Sequence, residues 1–447
     1  MKKFSLYILF LAVLIAGCEK KSDELFDKPA DQRVQESLDA YQAALLAAPG
    51  WKLFVYPQGL KGQDIEVGGL TYYVKFAANN RVTMVSDFVF PMAVTPKESG
   101  YRLKALQRPS LIFDTYSYIH AAADPDPDVS FSPTGEGGYG WGTDFDFSFT
   151  KAKPAGDTIV LEGNFNQSEA LLIRATQAEM TAAFSGQRLG FIMGVTDAYS
   201  RNNPFLFFPG PGSAKIGVSF NLFLYRINFS FISGGQLTTV SAPFSHTTYG
   251  LHFKDPITMG GITFQDLFWD DTLKVYYIQS GSARINITNS STPLFPFHQA
   301  LGRTISSISV PITPLAGQSA LYTTTYQTVK TNLKTGGYNL DLGTMDFIFD
   351  AQSKMMALNI NVQQNGVPFV IQYVFEYTMS NANIATFTLV GANGNGQNED
   401  IFNSVLPLLN YIAVDSFKLD YFNSPGGLLG QFTSLDNPGF FFTGNLQ

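Results

Sequence analysis

The sequence predicts a mainly β protein with a few helices, arranged as two lobes. Three observations point there. Aromatic residues are abundant, with 40 Phe, 21 Tyr and 3 Trp, and aromatic side chains favour half-buried strand positions. The 40 Gly and 23 Pro supply punctuation for many turns. Short apolar or alternating runs recur between clusters of Gly, Pro, Asn and Asp. At 447 residues the chain is long enough for two to three domains of roughly 150 residues. Hydrophobic residues make up 45 %, which excludes a disordered chain. Charged residues make up only 15 %, too few for the flanks of a coiled coil. The net charge is −7 without a long basic run, which excludes a nucleic-acid partner.

The first element is a leader. Lys2 and Lys3 precede an apolar run over residues 4–16. That run is shorter than the ~20 residues of a membrane-spanning helix and suits a signal-peptide core. Ile15-Ala16-Gly17-Cys18 follows, which resembles a bacterial lipobox. Residues 1–17 then read as signal peptide and 18–30 as a lipidated tether, anchored through Cys18. Cys18 is the one cysteine of the chain, at the one place that motif needs it. The alternative is an ordinary secretory signal. Ser22-Asp23-Glu24 resembles an acidic surface-export signal of Bacteroidota lipoproteins, or is a solvated linker. The expected location is the outer membrane, at the cell surface.

Residues 31–48 read as a helix, with Val34, Leu38, Tyr41 and Leu45 at helical spacing, Asp31 as its cap and Pro49-Gly50 as its stop. Strands follow over 53–56, 70–76, 82–88, 101–106, 110–116, 144–149, 158–161 and 170–173. Thr176-Gln177-Ala178-Glu179 has the form of a capping box and opens a helix through Phe184. A helix, about eight strands and a closing helix predict a lipocalin-like antiparallel barrel over residues 31–201. Residues 202–213 carry Pro204, Pro209, Pro211, Gly210 and Gly212 and read as a linker. A further antiparallel β-rich lobe is expected over 214–447. Its strands are 216–224, 227–232, 250–253, 262–268, 275–278, 345–349, 356–362, 369–377, 385–390, 416–422 and 440–442. A helix over 398–412 is weakened by Pro407.

A weak repeat links the lobes. Residues 76–82, 269–275 and 349–355 each run aromatic, four turn-like residues, a base, then an aliphatic. Each reads as two strands joined by a short hairpin loop.

Gly50-Trp51-Lys52 with Tyr56-Pro57 is similar to the start of a Bacteroidota lipoprotein family, domain of unknown function 4302. So are Gly68-Gly69, Arg81-Val82-Thr83-Met84 and Leu111-Ile112-Phe113-Asp114-Thr115-Tyr116 with His120 and Asp124-Pro125. The resemblance implies a surface or periplasmic lipoprotein associated with SusC/SusD-type nutrient import. It implies no reaction and no catalytic residues.

Enzymatic motifs are sparse. His-Glu-x-x-His and Gly-x-Ser-x-Gly do not occur. Gly135-x-Gly137-x-x-Gly140 sits in a proline-rich loop that leads into a strand, which is the wrong setting for dinucleotide binding. The informative stretch is 121–143. Asp124, Asp126 and Asp128 alternate with prolines and form a candidate calcium site, with Glu136 and Asp144 as further donors. The alternative is a proline-stiffened turn. Tyr139 and Trp141 lie between glycines, placed either to stack on a glycan ligand or to fold back over the barrel mouth. His120 reads as a satisfied barrel-rim residue. Phe205-Leu206-Phe207-Phe208 reads as apolar packing between lobes or a partner surface. The leading expectation is a non-enzymatic binding or accessory component of a nutrient importer. The alternative is a hydrolase acting on glycan or peptide beside it, which needs two facing carboxylates in a pocket.

Overall fold

The computed structural model describes residues 28–59, 66–131, 138, 140–210, 212 and 214–447. The leader, Cys18, Ser22-Asp23-Glu24, Gly135, Glu136, Gly137, Tyr139 and Pro211 lie outside the described residues.

Eight antiparallel strands close into a first barrel. They are β1 Trp51–Tyr56, β2 Leu70–Ala77, β3 Arg81–Ser86, β4 Lys97–Ala105, β5 Pro109–Phe113, β6 Asp146–Phe149, β7 Thr158–Gly163 and β8 Glu169–Arg174. Closure is direct: β1 pairs with β2 on one side and with β8 on the other, Trp51 opposite Arg174 and Tyr56 opposite Glu169. Leu53, Tyr72, Val74, Met84, Leu111, Phe113, Phe147 and Leu172 are fully buried. Each such side chain contributes about 1.5–3 kcal/mol on burial.

The helix Ala30–Ala47 packs onto this barrel through Ser37, Tyr41 and Leu45, one side chain per turn. Tyr41 stacks on Phe149 with ring centroids 3.6 Å apart, and Trp51 Nε1 donates to the Leu45 carbonyl at 3.0 Å. Val34 and Leu38 are only half-buried, because Ser37 takes the inward face. Asp31 lies inside the first turn and Pro29 occupies the cap position, so the expected aspartate cap does not form. The capping box does form. Thr176 and Glu179 bond reciprocally at the start of helix Gln177–Phe184. Helix Arg188–Asn202 follows; the sequence reading missed it, its glycines and mixed polarity blurring the pattern.

A nine-stranded antiparallel sheet comes next, in the order β16-β15-β14-β13-β12-β11-β10-β9-β17. Its strands are β9 Leu206–Pro209, β10 Lys215–Asn221, β11 Arg226–Ser233, β12 Gln236–His246, β13 Gly250–Met259, β14 Ile262–Asp270, β15 Val275–Ser280, β16 Ala283–Asn286 and β17 Thr288–Asn289. Only Ile287 separates the two outermost strands, and it is fully buried.

The remaining strands close a second eight-stranded barrel: β18 Ser307–Val310, β19 Asp341–Asp350, β20 Met355–Gln364, β21 Val367–Met379, β22 Ile384–Ala392, β23 Phe417–Ser424, β24 Gly427–Ser434 and β25 Phe441–Leu446. Its core includes Phe347, Phe349, Phe375, Phe417, Phe432 and Phe442. Helix Glu399–Ile412 joins that core through Val405, Leu408, Leu409 and Ile412 despite Pro407. Helix Ala320–Thr335 buries Tyr322, Tyr326, Val329 and Leu333 and is capped by Ser319.

The division of the chain differs from the expected one. Of the described residues, those up to Phe229 with Val240–Asn289 form one compact unit, and Ser230–Thr239 with Ser290–Gln447 form the other. Residues 202–213 are no linker. Leu206 and Phe208 are buried in β9, which pairs with β10 and β17. Pro204 and Pro209 mark the approach and end of that strand. Phe208 packs edge-on against Phe229 and Phe264, so Leu206 and Phe208 belong to the sheet's own core, while Phe205 and Phe207 are half-buried.

The three repeats are hairpins, in two forms. Asp270 pairs with Val275, and Asp350 with Met355. In both, the leading aspartate accepts two backbone N–H groups of the loop at 2.8–3.3 Å. Both loops end in a left-handed lysine, Lys274 at φ 56° and Lys354 at φ 59°. The hairpin at 76–82 is one residue shorter, with Ala77 opposite Arg81 and Asn80 left-handed.

Candidate ligand-binding sites

The acidic loop does not gather its carboxylates. Asp124 accepts from the Tyr116 hydroxyl and from the Asp126 N–H; Asp126 caps the short helix Pro127–Ser130 through the Asp128 N–H at 3.0 Å. Asp124 and Asp126 each serve the backbone two residues on, while the prolines hold the turns. This corrects the expectation of a converging calcium site at Asp124, Asp126 and Asp128. Among the described residues no group of three or more His, Cys, Asp or Glu is placed to hold a metal ion. Hydrogen bonding from Tyr116 holds the Asp124 carboxyl below its usual range. Burial, then that carboxylate, pushes the Tyr116 hydroxyl up to about 12.

Trp141 is 2 % exposed and donates from Nε1 to the Ser130 carbonyl at 2.9 Å. It packs edge-on against Phe88 and Tyr225. It therefore folds back into the protein and offers no free face to a sugar, which corrects its assignment as a ligand-binding residue. Tyr139 lies outside the described residues. His120 is buried and satisfied: Nδ1 accepts from the Ser117 N–H, and Nε2 donates to the Phe113 carbonyl. Burial lowers its pKa.

Cavities among the described residues offer further candidates. The first, of about 220 Å³, opens at one end of the second barrel. Its walls come from the start of β19, the β20–β21 hairpin and the entry to helix Glu399–Ile412. Tyr338 and Phe369 are 40 % and 41 % exposed, and Leu340, Val362 and Ile371 form an apolar floor. Three amides, Gln364, Asn395 and Asn398, supply the polar groups. They are held in place: Gln364 Nε2 donates to the Tyr338 carbonyl, Asn395 Nδ2 to the Val370 carbonyl and Asn398 Nδ2 to the Tyr338 hydroxyl. Asn398 Oδ1 also caps the helix through the Asp400 and Ile401 N–H groups. None of the lining residues is a carboxylate.

The second cavity, of about 410 Å³, lies in the first unit. It is lined by Phe90, Met193, Gly194, Asp197, Leu222, Tyr225 and His246. Behind it sits Asp87, fully buried. Its carboxylate accepts the Thr71 and His246 backbone N–H groups, each at 2.7 Å. His246 Nδ1 lies 3.4 Å from Asp87 Oδ2, yet the approach makes no hydrogen bond and leaves Nδ1 buried and unpartnered. The Tyr225 hydroxyl is committed to the Asp87 and Phe88 carbonyls at 2.6 and 2.9 Å. Burial and then the Asp87 charge push that hydroxyl well above its ordinary pKa. Gly68 makes the seam possible, since a Cβ there would lie 2.1 Å from the Tyr225 carbonyl oxygen.

Sequence reasoning found neither cavity. Their residues come from elements far apart in the chain, and no local spacing announces them. One signal was present: Asn398 is followed by Glu399 and Asp400, a helix start whose cap can also face outward.

The model of the family Domain of unknown function (DUF4302) matches residues 22–271. No curated protein matches the sequence. Among solved structures, the isotype 1 transferrin binding protein B of serogroup B Neisseria meningitidis is 9 % identical, with 89 % of this chain and 76 % of that chain covered and a TM-score of 0.14. A mutant of transferrin binding protein B from Haemophilus parasuis Hp5 is 10 % identical over 88 % and 74 %, at a TM-score of 0.13. Intact Ap-TbpB, with N and C lobes, is 11 % identical over 89 % and 76 %, at 0.14. Similarity this low carries no argument about fold or function. The family match extends over more than half of the sequence, from residue 22 through the first barrel to the β14–β15 hairpin: the chain belongs to the DUF4302 family.

Proposed function

We propose that this protein is a surface-exposed outer-membrane lipoprotein, anchored through Cys18, that binds a glycan-type ligand as an accessory of a SusC/SusD-type nutrient-import system. The observation that carries the binding reading is the 220 Å³ cavity of the second barrel, walled by Tyr338 and Phe369 and equipped with Gln364, Asn395 and Asn398. Aromatic faces stack on the apolar face of a sugar ring, and amides both donate to and accept from hydroxyls. The volume lies below the ~300–1,000 Å³ of drug-sized pockets and suits one ring of a larger ligand. Hydrolysis of a glycosidic bond needs two carboxylates, and the lining offers none.

The test is titration of the purified protein with an oligosaccharide panel. A saturable ligand should bind about ten-fold more weakly to Phe369→Ala and Tyr338→Ala, with no product released. Release of product, or binding indifferent to both changes, would overturn the reading. The anchor is tested separately. Fatty-acid labelling should be lost in Cys18→Ala, and affinity capture of the native lipoprotein from solubilised outer membrane should bring down importer components.

A further inference from the structure

The 410 Å³ cavity of the first unit carries its own inference, independent of the glycan reading. Its volume falls within the range of small-molecule sites, and its lining has their usual character of apolar walls with a few polar groups. Phe90, Met193, Leu222 and the ring of Tyr225 are the apolar walls. The Tyr225 hydroxyl is committed to two carbonyls and contributes only its ring.

Two side chains remain that can hydrogen-bond an occupant, His246 and Asp197. His246 is 4 % exposed, and its unpartnered Nδ1 is the nitrogen beside Asp87, which leaves Nε2 as the one an occupant would meet. Asp87 fixes the tautomer. A bare Nδ1 lone pair 3.4 Å from a carboxylate oxygen would be repelled, whereas Nδ1–H is attracted. With the proton on Nδ1, Nε2 is an acceptor. Asp197 pairs with Arg201 on the same helix and keeps carboxylate lone pairs, so it too is an acceptor. Both polar wall groups therefore seek donors.

We infer that this cavity binds a small apolar molecule with a hydrogen-bond-donating head, a primary amine before an alcohol, with the head on His246 and Asp197 and the body between Phe90, Met193, Leu222 and Tyr225. A carboxylate head is rejected, because it brings a third acceptor, and a charge, to two acceptors.

Gly194 provides a clean block. It lies in helix Arg188–Asn202 and lines the cavity, and a Cβ there meets nothing within 4 Å. A larger side chain fills the cavity without displacing neighbours, and replacing a helical glycine does not weaken the helix. The experiment is calorimetric titration of the purified full chain with 2-phenylethylamine, 2-phenylethanol and 3-phenylpropionate, three probes with similar bodies and different heads. The amine should bind saturably, the alcohol several-fold more weakly, and the acid not at all. Gly194→Leu should weaken amine binding at least ten-fold while its melting temperature stays at or above that of the parent. His246→Phe should weaken it comparably. Absence of saturable amine binding at millimolar concentration, equal or tighter binding of the acid, or amine binding unchanged in folded Gly194→Leu would each overturn the proposal.

Discussion

The carboxylate of Asp87 accepts the backbone N–H of His246 at 2.7 Å across 159 residues of chain. Its other oxygen takes the Thr71 N–H at the same distance. One buried charge thus ties β2 to the end of β12. Asp87→Asn keeps the shape but turns an N–H₂ group toward a backbone donor. Hydrogen bonds to charged groups contribute about 1.5–3 kcal/mol each, so a loss of about 3 kcal/mol is expected. Trp51, Trp141 and Trp269 all lie in the first unit. Tryptophan fluorescence during denaturant unfolding therefore reads that unit alone.

Trp141 is a packing residue. Trp141→Ala should destabilise the first unit by about 3–5 kcal/mol, as expected for loss of a buried aromatic. Trp141→Phe should cost less, retaining contacts with Phe88 and Tyr225 but losing the bond to the Ser130 carbonyl. Sugar affinity of the folded Trp141→Phe variant should equal that of the parent.

Glu179 gives the first unit a defined acid sensitivity. Burial alone raises its pKa, but donors from Lys52 and Thr176 outweigh this and hold the carboxyl below its ordinary 4.5. The unfolded chain therefore binds the proton more tightly. Stability from this group is present above about pH 4.5 and is lost as pH falls through the lower folded value. Glu179→Gln should flatten that part of the stability profile. It should cost about 1 kcal/mol at pH 7, a figure typical of a capping interaction. Unfolding followed from pH 7 to pH 3 would show it.

Lys274 and Lys354 occupy left-handed positions that favour glycine. The left-handed conformation costs an ordinary residue about 1–2 kcal/mol, part of which glycine returns through its own chain entropy. Lys354→Gly should therefore stabilise by about 0.5–1 kcal/mol. Asp350→Ala should destabilise by about 1 kcal/mol, since it removes the acceptor for the Gln352 and Ser353 N–H groups. Thermal unfolding of the two variants should move in opposite directions.

Local chemistry was legible in the sequence. Thr176 and Glu179 announced a helix start, and the aromatic and β-branched residues over 70–76 announced a barrel strand. The repeated aspartate-to-lysine loops were recognisable as hairpins. The second barrel was read only as further β structure, because nothing local states that β18 returns to β25. Helix Ala320–Thr335 was missed because its threonines favour strands, although Tyr322, Tyr326, Val329 and Leu333 carry helical spacing. Pro209 and Gly210 misled in the other direction, being strand-end signals that look like a linker. The site residues were the least legible. His246 and Asp87 mean nothing apart, and only the fold brings them together. Trp141 shows the same limit: flanking glycines reveal a turn, while the direction of the side chain depends on what waits beneath it.

The single residue between β16 and β17 has a wider consequence. Ile287 joins the two margins of the nine-stranded sheet, so one short stretch of chain, residues 283–289, bounds it on both sides. Both eight-stranded sheets are closed. The two margins of the nine-stranded sheet are short, four residues in β16 and two in β17, and offer another polypeptide little edge to extend as an added strand. An edge this short gives neighbouring copies little to pair with through this sheet. Recognition at this sheet's margins would fall to side chains, whose shape individual substitutions can tune.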